Sequence, residues 1–497
     1  MCESISIAAL ISPWLQLEAT TYADIPVQRL VLDSRQIHPG DTFVAVIGHH
    51  IDGRTFIDAA VTAGASLIIA QSDPQKPHGT IETHTSVPII YLDDLNTHLS
   101  ELAGRLYRHP SQHHSLVGVT GTNGKTTISQ LIAQWLNLLG NRCAVMGTTG
   151  NGFLEQLKPV GNTTGSAIEI QQTLSALMNQ GANYTAMEVS SHGLVQGRVK
   201  ALCFDVGVFS NLSRDHLDYH GDMETYAQAK KLLFCTHQCQ RAVINVDDPV
   251  GRSWCDELDD VIGVSLSERP QTRLGVWATD IRYSEDGIHL SFDSSWGSGH
   301  FSVPLIGAFN ASNVLLTFAT MLVLGFDKDD LTATAGRLCP VVGRMELFQK
   351  AGRAKIVVDY AHTPDALEKA LSALRVHCRG KLWVIFGCGG DRDRGKRPLM
   401  AAIAERLADR VVLTDDNPRS EAAQRIIEDM LHGLHSPMDV KIEHQRQKAT
   451  EFALSHADEN DIILLAGKGH EDYQVTAEGV HHYSDRETAI RLLELTA

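Results

Sequence analysis

No stretch of this chain approaches the roughly 20 apolar residues that cross a bilayer, and Met1 to Pro13 carry Glu3 but no basic segment. Neither a signal peptide nor a spanning helix is expected, so the chain reads as a cytoplasmic protein without membrane insertion. Basic side chains are scarce as well. The 43 lysines and arginines face 59 acidic residues, for a formal charge of −16, which opposes general binding to nucleic acid or to an anionic surface. Any phosphorylated ligand must then meet a local basic site. The nine cysteines include no CxxC pair, so neither a disulfide framework nor a zinc ribbon is indicated. Cys235 and Cys239 have a spacing that fits one helix face, but no second pair of ligands accompanies them, and packing is the expected role.

What the chain does have is length. Its 497 residues exceed one ordinary core, and about three domains are expected. To about residue 110, apolar runs at Leu30 to Leu32, Phe43 to Ile47, Ser66 to Ala70 and Val87 to Leu92 alternate with turn residues, as in a small α/β domain. The polar stretch His109 to His114 reads as a linker. From Leu116 the pattern is strand, glycine-rich loop, helix. Ile128, Leu131, Ile132, Trp135, Leu136 and Leu139 follow helical spacing, and Gly140 is placed to cap the end. Runs at Ala144 to Met146, Ala186 to Val189, Val206 to Phe209 and Ala242 to Ile244 favour a largely parallel sheet covered on both faces. A third set begins near residue 345, with strands at Ile356 to Asp359, Leu382 to Phe386, Val411 to Thr414 and Ile462 to Ala466. Helices at Pro398 to Leu407 and Ser420 to Leu434 lie among them, in a Rossmann-like pattern. The expected domains are 1–110, 111–343 and 344–497.

The segment Gly121-Thr122-Asn123-Gly124-Lys125-Thr126-Thr127 joins a strand to a helix, where open backbone N–H groups and the positive dipole end cradle phosphates. Lys125 would reach the β- and γ-phosphates and the Thr126 hydroxyl would bind Mg²⁺. The position five before Gly124 is Val119, not the glycine of the general phosphate loop. A glycine-rich turn without a ligand would leave the lysine and two threonines at a helix start unexplained, so ATP or GTP binding is expected.

On this loop the chain resembles the Mur ligase family, which shares it with folylpolyglutamate and cyanophycin synthetases. The resemblance implies an α/β protein of three domains: an N-terminal UDP-binding domain, a central phosphate-loop ATPase with a mostly parallel sheet, and a C-terminal Rossmann-like domain. It implies ATP and Mg²⁺ as cofactors, with Glu188 in Ala186-Met187-Glu188-Val189-Ser190-Ser191-His192 and His216 in Asn211-Leu212-Ser213-Arg214-Asp215-His216 as metal ligands. Lys230, in Tyr226-Ala227-Gln228-Ala229-Lys230-Lys231, matches the lysine whose carbamate supports a second magnesium; without the resemblance, two solvated helix lysines would be the simpler reading. Asn310, Arg344 and Asp359 match positions around adenine, phosphates and ribose.

Within the family, the whole chain is similar to the members that add meso-diaminopimelate to UDP-N-acetylmuramoyl-L-alanyl-D-glutamate. Leu32, Ser34, His49, His50 and Ile51 then face the uridine diphosphate. Asn162, Thr163, Thr164, Ser190, Gln196 and Arg198 hold the muramoyl peptide, Arg198 pairing with its anionic groups. Asp416-Asn417-Pro418-Arg419 matches the diaminopimelate signature, with Arg392, Gly467 and Glu471 as partners. By composition alone this tetrapeptide is a strand-ending turn. Its chemistry nevertheless suits a ligand whose far end carries an ammonium and a carboxylate, because it offers one acid and one planar cation. Lysine lacks that carboxylate and is expected to be a poor substrate. The expected reaction passes through an acyl phosphate, with the C-terminal domain closing onto the centre, in a monomer. Rival readings are a lysine-adding relative, a folylpolyglutamate or cyanophycin synthetase, and a nucleotide-sensing protein that performs no ligation.

Overall fold

The apolar runs of the first hundred residues form a five-stranded sheet in the order Leu30–Val31, Thr42–Ala45, Leu67–Gln71, Val87–Leu92 and Ile81–His84, parallel except for the last pair. The computed structural model describes residues 4–17, 21–48, 51–284 and 287–495. Strand periodicity sorts this sheet's side chains onto two faces. Val44, Leu67 and Ile69 join a core with helix Leu95–Leu106, and Phe43, Ile68 and Ala70 join another with helix Ile57–Thr62. Burial on both faces is what a parallel sheet demands.

The chain forms two units. The first comprises Met1–Gly121, Gly140–Phe209 and His216–Ala242; the second comprises Thr122–Leu139, Ser210–Asp215 and Val243–Ala497. In the first, beside the N-terminal sheet, strands run in the order Gly150–Phe153, Cys143–Gly147, Tyr184–Glu188, Ser115–Thr120 and Cys203–Phe209, with only the initial hairpin antiparallel. The stretch read as a linker is packed. Pro110–Gln112 is one 3-10 turn with Pro110 and Ser111 buried, and His114 bonds Thr185 Oγ1 at 3.0 Å. Cys235 ends helix Met223–Cys235 while Cys239 lies on strand Gln238–Asn245, so they do not share a helix face.

In the second unit, helix Lys125–Leu138 buries every apolar residue of its predicted stripe from Ile128 to Leu136, and Gly140 follows it with φ +80°. Trp135 packs on Phe301 and Phe318 and donates from its indole to Thr334 Oγ1 at 3.0 Å. Strand Val261–Ser265 pairs in parallel with Leu274–Ser284, and Gly287–Ser294 and Gly299–Val303 continue antiparallel. A further sheet orders Glu346–Phe348, Lys355–Asp359, Ile462–Ala466, Leu382–Phe386, Arg410–Leu413 and Lys441–Ile442, all parallel but the first pair. Its two faces are again sorted by period two: Val384 and Phe386 lie in one core, Trp383 and Ile385 in the other. The helix expected at Ser420 to Leu434 is shorter, Ala423–Leu431. Among the described residues no helix is long and apolar enough to cross a membrane.

Candidate active site

The phosphate loop has the geometry its glycines predict. Gly121 and Gly124 take φ of +141° and +88°, and a Cβ on Gly124 would sit 2.6 Å from Asn313 Oδ1, so the turn is closed to any larger residue. Gly124 is also the N-cap of Lys125–Leu138 and offers no side-chain oxygen to the first-turn N–H groups, the kind of helix start that suits an anion. Lys125 Nζ folds back to the Thr122 carbonyl at 2.9 Å, and Thr126 and Thr127 are buried. The loop is braced within its unit. Thr122 N–H donates to Asn211 O at 2.9 Å, Asn123 N–H to Asn211 Oδ1 at 3.0 Å, and Ser213 N–H to Thr122 Oγ1 at 3.0 Å.

Asp365, not singled out in the sequence, joins this set: its Oδ2 accepts from Ser213 Oγ at 3.0 Å, Asn123 Nδ2 at 3.4 Å and Lys369 Nζ at 2.8 Å. The only sequence signal for it was its place just after Pro364 at a helix start. Asn310 is buried, donating to Ile306 O at 2.7 Å and accepting from Asn313 Nδ2 at 2.9 Å. It therefore sits behind Gly124 through Asn313. Arg344 stacks its guanidinium 4.5 Å over the Tyr360 ring, beside His470, and its Nε is buried without a hydrogen-bond partner. Burial pushes the Asp359 carboxyl above its usual range, against Arg344 and the Met345 and Ala361 N–H groups, which bond it at 2.8 and 3.0 Å. Burial, with Arg344 adding to it, lowers the His470 imidazole to about 4.

In the first unit, Glu188 ends its strand with the side chain buried, Oε1 accepting from Thr148 N–H at 2.9 Å and Oε2 from Thr148 Oγ1 at 3.1 Å. Thr148 also contacts Thr163 Oγ1, and Thr164 Oγ1 bridges Glu188 O and Ser190 N–H, each at 3.0 Å. Arg198 donates to the Thr164 carbonyl at 2.7 Å and to Gln196 Oε1. These acceptors are all neutral, so the guanidinium charge is left for an anion. Gln196 Nε2 reaches Tyr219 Oη at 3.3 Å, which ties this group to a ring cluster of His192, His216, Tyr219, His220 and Tyr226. Lys230 Nζ lies 4.4 Å over Tyr226 and donates to Gly121 O at 2.9 Å. Lys230 and Lys231 are both buried, so the picture of two solvated lysines does not hold.

The nucleotide-end residues are more dispersed. Leu32 packs against the N-terminal core, Ser34 opens a 3-10 turn capped by Asp33, and Ile51 is 63% exposed. His49 and His50 lie outside the described residues, and Asn162 is exposed on its loop.

The amino-acid loops follow the carboxyl ends of parallel strands, where α/β sheets place ligands. Asp416, Asn417 and Pro418 are buried. Asn417 Nδ2 donates to Glu471 Oε2 at 3.2 Å, and its Oδ1 accepts from Val475 N–H at 2.9 Å. Arg419, with φ +52°, donates to Gly390 O at 2.9 Å and Asn417 O at 3.4 Å. Among the described residues no carboxylate pairs with it. Gly467 has φ +117° with its Cβ direction 2.8 Å from Asp416 Oδ2, and Arg392 is exposed. The residue missed here is Lys468, fully buried under Asn417 and Glu471. A lysine between Gly467 and Glu471 was its only trace in the sequence.

A phosphate-binding loop at the head of one α/β core and paired acid and guanidinium loops at the edge of another define a nucleotide-driven ligase. The descriptions Mur ligase family, catalytic domain; Mur ligase middle domain; and Mur ligase, glutamate ligase domain match residues 26–107, 119–321 and 343–469. The chain belongs to the Mur ligase family of ATP-dependent ligases. It is 63% identical over 490 residues to the UDP-N-acetylmuramoyl-L-alanyl-D-glutamate--2,6-diaminopimelate ligase of Vibrio cholerae serotype O1, covering 99% of both chains. It is 59% identical to the protein of the same name from Vibrio parahaemolyticus serotype O3:K6, over 100% of both. A solved structure of a protein with this name superposes with a TM-score of 0.72 at 35% identity, covering 99% of each chain.

Proposed function

We propose that the chain joins meso-diaminopimelate to the side-chain carboxylate of D-glutamate in UDP-N-acetylmuramoyl-L-alanyl-D-glutamate, consuming ATP and releasing the UDP-muramoyl-tripeptide, ADP and phosphate. The observation that carries this reading is Arg419. Its guanidinium is anchored by neutral carbonyls, in a loop that also carries Asp416 and is tied to Glu471 through Asn417, a set of groups that suits a ligand end bearing both a carboxylate and an ammonium. Arg392 and Gly467 complete the amino-acid contacts. Arg198, with Gln196, Ser190, Asn162, Thr163 and Thr164, holds the muramoyl peptide, and Leu32, Ser34 and residues 49–51 hold the UDP end.

The D-glutamate carboxylate is anionic and its oxide a poor leaving group, so transfer of the ATP γ-phosphoryl group to it comes first. Residues 121–127 bind the phosphates, Lys125 and Arg344 offset the charge that develops on them, and Asn310 and Asp359 support the nucleoside. The diaminopimelate amine then attacks the acyl carbon, phosphate departs and the amine loses its proton. Thr126 is a proposed magnesium ligand beside the phosphates; Glu188 and His216 are proposed magnesium ligands as well, with carbamylated Lys230 supporting a second magnesium. Hydroxyl and carboxylate oxygens suit a hard cation. Magnesium, when bound, supplies charge neutralisation on the phosphates. A carbamate on Lys230 would retain one N–H on Nζ, the donor that the bond to Gly121 O requires. The proposed functional parts are 1–110, 111–343 and 344–497, acting as a monomer in the cytoplasm.

The test is incubation with Mg²⁺, ATP and UDP-N-acetylmuramoyl-L-alanyl-D-glutamate, with meso-diaminopimelate or L-lysine offered in parallel, products weighed by mass spectrometry. A tripeptide from diaminopimelate alone is expected. A lysine product overturns the specificity, and no product from either overturns the function.

A further inference from the structure

We infer that Lys468 is a positioning residue of the amino-acid site, a buried ammonium that locks the loop after Arg410–Leu413 to the loop after Ile462–Ala466 and sets the charge presented to the incoming amino acid. This rests on the diaminopimelate reading above. Lys468 has no exposed surface. Its Nζ donates to Glu471 Oε2 at 3.2 Å and Asn417 Oδ1 at 3.3 Å, lies 3.9 Å from Asp416 Oδ1, and sits 5.6 Å from the Tyr473 ring centroid. An ammonium has three donors and no acceptor, and these three oxygens surround it.

The same bonds fix the orientation of Asn417. Its Oδ1 takes Lys468 Nζ and Val475 N–H, which leaves Nδ2 to donate to Glu471 Oε2. Lys468 thereby holds the Asn417 amide in one sense and Glu471 in one rotamer. One ammonium also faces two carboxylates, so a single negative charge remains to meet the ammonium of the substrate. Glu471 Oε1 and Asp416 Oδ2 take no hydrogen bond from any described residue, which leaves them for that purpose. Lys468 itself has no exposed surface and two of its three donors are hydrogen-bonded to Asn417 and Glu471, so it acts through them without touching the substrate. A packing role alone does not explain it, since a methionine fills similar volume without the desolvation of a buried charge.

The test is Lys468→Met in the full-length enzyme, assayed with Mg²⁺, ATP and both substrates. KM for diaminopimelate is expected to rise about tenfold or more, while KM for ATP and for the UDP-dipeptide stays within about twofold. Lys468→Arg, which keeps the charge, should restore part of the loss. An unchanged diaminopimelate KM, or equal losses for all three substrates, would overturn the inference. If Lys468→Met does not fold, reductive methylation of the wild type followed by peptide mass spectrometry decides. Lys468 should stay unmodified with and without diaminopimelate; methylation that diaminopimelate suppresses would make it a contact residue and end the proposal. A wild type that makes no diaminopimelate product removes the functional reading itself, whereas an active wild type with an indifferent variant removes only this inference.

Discussion

At the scale of single residues, Arg419 stands out: two carbonyl oxygens hold it, and among the described residues no carboxylate pairs with it. Arg419→Ala should cost about 2–3 kcal/mol of transition-state binding for diaminopimelate and far less for lysine, narrowing the ratio of their kcat/KM values. Arg419→Lys should not restore it, because a point charge lacks the planar fork. At Lys125 the expected loss on substitution by alanine is about a hundredfold in kcat, read as phosphate release. Two buried imidazoles give a pH signature for stability. Burial lowers His237 and His470 from 6.5 to about 4, and both His237 ring nitrogens and His470 Nδ1 lack hydrogen bonds. Below the unfolded value the denatured chain takes up protons that the native state refuses, so the stability that depends on these two histidines should fall from pH 6.5 toward 4. Urea melts across that range test this; His237→Phe should flatten the curve, and an unchanged slope would remove His237 as a cause. In the sequence, Lys125 and Arg419 were legible because loop motifs carried them. Lys468 and Asp365 were not, because their roles depend on contacts between loops distant in the chain.

At the scale of elements, continuous apolar runs marked strands well. Val87–Leu92, Leu382–Phe386 and Ile462–Ala466 fall at the expected bounds, since strands buried on both faces need no alternation. Gly287–Ser294 and Gly299–Val303 went unread because they alternate. Ile288, Leu290 and Phe292 are buried while His289 is exposed, which dilutes any run of apolar residues. The helix after Gly124 was legible both from its stripe and from its start. That start yields a prediction. In Gly124→Ala, φ +88° and an oxygen 2.6 Å from the new Cβ should cost about 1–3 kcal/mol and raise KM for ATP. Thermal denaturation and ATP titration read the two effects. A variant with normal ATP affinity would show that the loop has more freedom than its packing against Asn313 implies.

At the scale of the whole molecule, the chain's charge works against its own substrates. A net charge of −16 repels ATP and a UDP-linked dicarboxylate at long range, while Lys125, Arg198 and Arg344 attract them only at contact. The two influences separate with ionic strength, because screening acts over about 30 Å at 0.01 M salt and about 8 Å at 0.15 M. Between these limits the distant repulsion is damped while pairs at bonding distance, partly shielded from solvent, are little affected. The value of kcat/KM for the UDP-dipeptide should therefore rise or hold as salt increases from about 0.01 to about 0.15 M, and fall only at higher salt. The measurement is an initial-rate series at fixed free magnesium, with potassium chloride as the variable. A steady decline from the lowest salt would mean that the basic side chains of the site dominate the field felt by an approaching substrate, despite the acidity of the chain as a whole.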